Sequence, residues 1–275
     1  MNGKRKSEAE TRELMLQRAS EDLISAGPSV GLEVVRMEKV IKAAEVSRAS
    51  AYRIWPNREE FLAETLVTAL SQVTLLPEGM AEIAALSELI GHYRPVLDTE
   101  QGRRNLVVEG LRLSVDADVR RMLNSPKWRL FLGISTTCHT LEDETLQEAV
   151  AAELARIEQT FVMRRAQIYQ QLCALIGYRQ RKPWQGVAGF QALSELAGLT
   201  MRGILSRGLA DPAWLEQRVA MELFEADAAD WSQAEIAMVT VLLGHLEPDP
   251  DIEWTAERIA KAEQVYDAMI AEMLA

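Results

Sequence analysis

Apolar side chains along this chain recur at three- and four-residue steps and nowhere alternate convincingly with polar ones. The longest stripe runs from about Leu141 to Gly177, where Leu146, Val150, Leu154, Ile157, Phe161, Ile168, Leu172 and Leu175 share one side of a helix, interrupted by Arg164 and Arg165. A second helix is predicted over Gln185 to Arg207, with Ala192, Ala197, Gly198 and Gly203 set among leucines. A last stripe carries Ile259, Ala262, Tyr266, Met269 and Met273. Near the start, local signals are denser. Ser7 and Glu10 have capping-box spacing, and the helix they open should stop at Gly27-Pro28. A brief segment, Met37 to Glu45, follows, then a third helix with Ser47 as N-cap, closed by Pro56. Asn57 and Glu60 box a fourth, which carries Phe61, Leu62, Leu66 and Leu70 and ends near Leu76-Pro77. Beyond it about seven helices are expected, with breaks at Pro95, Gly102, Pro126, Pro183, Pro212 and Pro248 to Pro250, and a further box at Ser232 and Glu235. The predicted fold class is all-α.

Composition sharpens this picture. Leu, Ala, Glu, Arg, Met and Gln dominate, so summed propensity favours helix throughout the 275 residues. The longest strongly apolar run, Ala237 to Gly244, is too short to cross a bilayer, and the opening MNGKRKSEAE lacks a signal peptide's apolar core. A soluble cytoplasmic protein with no membrane partner is expected. Cys138 and Cys173 are too few for a disulfide scaffold or a zinc site and read as buried thiols. No metal spacing or glycine-rich phosphate loop occurs, and His92, His139 and His245 lie far apart, so no catalytic role and no cofactor are expected.

Net charge is −11, at first sight unfavourable for a nucleic-acid partner. Its distribution is uneven. Residues 1–60 hold 11 Lys and Arg against 10 Asp and Glu, a balance of +1, so the acid lies in the remainder. A local basic face can bind a duplex while the rest repels it. The stretch AEVSRASAYRIWPNREEF, Ala44 to Phe61, concentrates such a face. With Ser47 as N-cap, helical geometry turns Ala51, Ile54 and Trp55 one way and Arg48, Ala49, Tyr52 and Arg53 the other. One side is core. The other is small, basic and aromatic, and it follows a helix and a tight turn, the layout of a helix-turn-helix whose second helix enters the major groove.

Residues 37–62, MEKVIKAAEVSRASAYRIWPNREEFL, resemble the DNA-binding segment of TetR-type (tetracycline-repressor-like) transcriptional regulators. Ala44, Val46, Ser47, Tyr52, the aromatic Trp55 and the basic Arg58 carry the match, which covers under a fifth of the chain. The resemblance implies that Arg48, Ala49, Ser50 and Arg53 read bases or their neighbourhood, and that Tyr52 and Arg58 hold phosphates. Lys39 and Lys42 would add backbone contacts, and Lys4, Arg5 and Lys6 would form an arm along the minor groove. The chain departs from the pattern at Glu45, where glycine is usual and a left-handed non-glycine residue costs about 1 kcal/mol. It departs also at Ile41, at Arg36 in a capping position, and at Ile54.

The resemblance further implies two domains: a three-helix helix-turn-helix domain over 1–60, and a larger helical ligand-binding and dimerisation domain over 61–275. The expected partners are a palindromic double-stranded DNA operator, a second copy of the chain and a small-molecule effector that relieves repression. The dimer contact is assigned to the helices near 141–177 and 185–207. The effector pocket is assigned to His92, Tyr93, Trp128, Phe131, His139 and Met163, because aromatics, methionine and a few polar groups make an adaptable wall. Trp214, Trp231 and Trp254 would cover that pocket or extend the dimer contact. The competing reading is a helical interaction protein whose helix-turn-helix no longer binds DNA.

Overall fold

A computed structural model describes residues 6–26, 35–73 and 80–274. The architecture is all-α. The expected ends at Gly27-Pro28 and Leu76-Pro77, and the basic Lys4 and Arg5, lie outside the described residues. The chain divides into two compact units, one of Met1–Leu75 with Asn124–Thr160, the other of Leu76–Leu123 with Phe161–Ala275.

The first unit is built on α1 (Glu8–Ala26), which packs against α2 (Met37–Ala43), α3 (Arg48–Ile54), α4 (Arg58–Ser71) and, farther along the chain, α7 (Pro126–Thr137). The capping box at its start is complete: Glu10 N–H donates to Ser7 Oγ, and Ser7 N–H to Glu10 Oε2. Met15, Leu16, Ala19 and Leu23 bury the inner stripe of α1 against Phe61, Leu62, Leu66 and Leu70 of α4. Asn57 caps α4 by accepting from Glu60 N–H at 2.8 Å. Trp128 and Phe131 of α7 are buried, with ring centroids 5.9 Å apart.

The second unit holds α5 (Met80–Tyr93), α6 (Glu100–Asn124), α9 (Val187–Ala210), α10 (Pro212–Leu215), α11 (Gln233–His245) and α12 (Ala256–Leu274). The long α8 (Glu144–Ile176) gives its first half to one unit and its second half to the other. It starts at Glu144 because Asp143 caps it, accepting from Leu146 N–H at 3.1 Å. Gly102 does not end a helix as expected. It lies in the first turn of α6, where the Val96 carbonyl leaves no room for a Cβ. Four three-residue strands were also not anticipated: β1 (Tyr178–Gln180) pairs antiparallel with β4 (Leu246–Pro248), and β2 (Val219–Met221) with β3 (Ala229–Trp231). Three residues are too few for alternation to register.

Ion pairs around the buried Glu235 carboxylate anchor this unit. Glu235, wholly inaccessible, completes the Ser232 capping box and also accepts from Arg218 at 2.6 Å. Arg218 in turn reaches Asp116 at 2.6 Å. Trp231 is core, its ring 5.4 Å from that of Phe224, and does not serve as a cover. The guanidinium groups of Arg103 and Arg258 lie 5.3 and 5.2 Å from the Trp254 ring centre. Cys173 is a buried thiol as expected, whereas Cys138 is only half-buried.

Candidate nucleic-acid interface

The α2–α3 turn closes in a Schellman motif. Val46 N–H donates to Ile41 O at 3.2 Å and Glu45 N–H to Lys42 O at 3.3 Å. That pattern requires a left-handed residue just after the C-cap, and Glu45 adopts φ 52° there. The side chain at this position costs conformational energy that glycine would not. Lys6 offsets part of it by donating to the carbonyls of Ala44 and Glu45 at 2.9 and 3.1 Å. Its ammonium group thus serves the negative end of α2 instead of extending as an arm. Arg36, at the N-cap of α2, makes no side-chain capping bond.

On the far side of the turn Ser47 caps α3, accepting from Ser50 N–H at 3.0 Å. The seven-residue helix then divides as its sequence predicts except at Ile54, expected in the core and only half-buried. Ala51 is fully buried, and Trp55, 2% exposed, plugs the floor of the unit. Arg48, Ala49, Tyr52 and Arg53 are exposed, Tyr52 at 43%, while Ser50 and Ile54 are half-buried. Trp55 fixes the helix from below: its ring meets Phe61 edge-on at 5.0 Å, and its Nε1–H donates to Glu64 at 2.8 Å. Arg12 of α1 closes that cluster, donating twice to Glu64 at 2.6 and 2.7 Å. So short a helix depends on tertiary anchoring rather than on its own propensity.

The exposed face is electrostatically organised. Glu38, in the first turn of α2, accepts from Arg48 Nε at 2.8 Å, pairs with Arg48 Nη2 at 2.7 Å, and accepts from the Tyr52 hydroxyl at 2.9 Å. The hydrogen bonds from Arg48 and then Tyr52 hold the Glu38 carboxyl below the usual carboxylate range. Bonding to Glu38 pushes the Tyr52 phenol up, so it stays a donor. Arg53 lies 3.4 Å from Glu8, and Lys39 lies 3.8 Å from Asp22. Lys42 is exposed on α2, and Arg58 is exposed at the start of α4. Arg48, Ala49, Ser50, Tyr52 and Arg53 therefore sit together on α3. Lys39 and Lys42 belong to the neighbouring helix, and Arg58 opens the next.

Glu38 went unnoticed in the sequence. Its link to Arg48 spans ten positions across two helices, beyond any helical period, and only an acid at the start of α2 facing a basic α3 hinted at it.

The residues expected to line a pocket are divided between the units. His92 and Tyr93 end α5 with rings 5.1 Å apart, His92 exposed and Tyr93 half-buried. Met163, on the second half of α8, is 42% exposed, and its Sδ lies 3.0 Å from Gln191 Nε2 of α9. Trp128 and Phe131 are core of the first unit, and His139 is exposed on the turn after α7. Among the described residues no cluster of His, Cys, Asp and Glu could hold a metal, and no helix is long and apolar enough to cross a membrane.

No family model matches the chain, and no curated protein matches it. Among solved structures it is similar to native NalD, the secondary repressor of the MexAB-OprM multidrug efflux pump in Pseudomonas aeruginosa. Identity is 20% over 90% of this chain and 100% of that chain, with a TM-score of 0.41. At that level the likeness carries no information on function.

Proposed function

We propose that this chain is a TetR-like transcriptional regulator, which binds a palindromic operator as a homodimer and releases it when a small molecule binds its helical body. The observation that carries this reading is the presentation of α3. A short helix, capped by Ser47 and pinned from below by Trp55, turns Arg48, Ala49, Tyr52 and Arg53 to solvent directly after a tight turn. Two guanidinium groups and a phenol beside a small residue suit close approach to a major groove: arginine can address a guanine edge through two donors, and tyrosine a phosphate. Lys42 and Arg58 flank that face and would add phosphate contacts.

In this reading residues 1–60 are the reader and 61–275 the regulatory and dimerisation body. Two readers must be held about one helical turn of DNA apart, roughly 34–36 Å, or a multiple of it. The outer side of α9 suits such pairing: Leu196 and Leu199 are exposed, and a Cβ at Gly198 or Gly203 would meet nothing within 4 Å, so a second helix could approach closely. Effector binding would act by favouring one separation of the readers over another. Of the residues assigned to the effector, His92, Tyr93 and Met163, all in the second unit, remain the proposed contacts.

A second reading, an interaction protein with a head that no longer binds DNA, is favoured by two acids on the α2–α3 face, Glu38 and Glu45. Mapping the genomic duplex fragments retained by the purified protein separates the two. The regulator is expected to enrich a few palindromic sites, with enrichment lost in Arg53→Ala. Retention of no fragment would support the interaction protein. For the effector step, spin labels on the two readers should report a changed separation at saturating ligand.

A further inference from the structure

Arg48 is not simply an exposed cation. Its side edge, Nε with Nη2, is taken by Glu38 in a fork, and the same carboxylate holds the Tyr52 hydroxyl. Among the described residues the other edge, formed by Nη1 and the second hydrogen of Nη2, has no partner, and the side chain is 70% exposed. That free edge carries two parallel N–H groups, the pair that matches guanine O6 and N7. Arg48 also opens α3, which has no acid in its own first turn, so a cation there works against the helix dipole until Glu38 supplies negative charge from α2.

We infer that Glu38 is a specificity-determining residue of the α3 surface: it fixes Arg48 with its paired N–H edge outward for a guanine, and cancels its charge toward phosphates. The inference rests on the DNA-binding reading above. Two consequences follow from the chemistry. Holding the guanidinium and the phenol in place reduces the freedom lost when a base is engaged, which favours matched sites. Neutralising the arginine removes a sequence-independent phosphate contact, which weakens binding to arbitrary duplex. A carboxylate on a DNA-facing surface thereby trades total affinity for discrimination.

The test is selection of sites from a randomised duplex library by the full-length protein, its Glu38→Gln and Glu38→Ala variants, and Arg48→Ala, with affinities then measured for a selected and a scrambled duplex. The wild type is expected to prefer guanine at one position of each half-site, and Arg48→Ala to lose that preference. Both Glu38 variants should relax it, bind scrambled duplex several-fold more tightly, and show a log–log salt slope steeper by about one. Combining Glu38→Gln with Arg48→Ala should abolish the effect of the Glu38 change, an outcome that a purely structural role for Glu38 would not give. Unchanged site preference and unchanged scrambled-duplex affinity in both Glu38 variants, with melting temperatures equal to wild type, would overturn the inference while leaving the regulator intact. If the wild type selects no sequence at all, the regulator reading itself falls, and this inference with it.

Discussion

The pairs Arg48–Glu38 and Arg218–Glu235 are chemically alike, each an arginine donating to a carboxylate at 2.6–2.8 Å, yet they do opposite work. Arg48 and Glu38 are 70% and 47% exposed, while Arg218 is 26% exposed and Glu235 not at all. Water competes for both partners of an exposed pair, so the one on α3 adds little to stability and can serve to orient Arg48 without the fold depending on it. In the second pair the Glu235 carboxylate is shut off from water altogether. That carboxylate also caps α11, so the pair ties α11 to Arg218 and, through Arg218, to Asp116, and helps define the second unit. Burial, and not the identity of the pair, separates a surface available for recognition from a scaffold.

Substitution at the two carboxylates should break or sharpen that contrast. Glu235→Ala loses the capping box and one of the two carboxylates that Arg218 donates to, leaving it Asp116 alone, and is expected to destabilise the protein by roughly 2–4 kcal/mol in urea denaturation. Glu38→Ala should leave the urea midpoint close to that of the wild type. Equal losses at the two sites would remove the distinction drawn between them.

A smaller effect is expected in the turn. Glu45→Gly relieves the left-handed strain and preserves the backbone carbonyls that Lys6 bonds, so the midpoint should rise by about 1 kcal/mol equivalent. A fall would mean that the Glu45 side chain contributes more than its backbone conformation costs.

The smallest effect concerns the thiols. Burial pushes Cys173 up to about 12, so its thiol stays neutral in the folded protein, whereas in the unfolded chain it ionises near about 8.5. Its raised folded value means that the stability it contributes is complete below pH ~8.5 and declines as pH rises from there toward about 12. At pH ~8, mass spectrometry after brief iodoacetamide treatment should find half-buried Cys138 labelled and Cys173 protected until denaturant is added. Equal labelling of both would contradict the packing around Cys173.

Local chemistry was legible in the sequence. The caps at Ser7, Ser47, Asn57 and Ser232 rest on contacts three residues apart, and the division of α3 into Ala51 and Trp55 below and Arg48, Tyr52 and Arg53 above follows from helical period alone. What escaped depends on contacts between distant segments. The partner of Arg48 is ten residues away on another helix, Lys6 caps a helix 38 residues on, and Gly102 is small because the Val96 carbonyl presses on it. Glu235 could be read as half of a capping box but not as the buried partner of Arg218. The strands failed for the same reason, since each consists of three residues whose only support is a pairing partner far along the chain.

The most direct test of the central claim is an anisotropy titration of the purified protein against duplex from its own upstream region and a scrambled duplex of equal length. It should be run at about 50 and about 200 mM salt, with Arg53→Ala and Tyr52→Ala in parallel. Tight binding to the native duplex that weakens steeply with salt, exceeds binding to the scrambled one and is lost in both variants is the expected result. Equal, weak binding to both duplexes, unaffected by either substitution, would show that the α3 face does not read DNA.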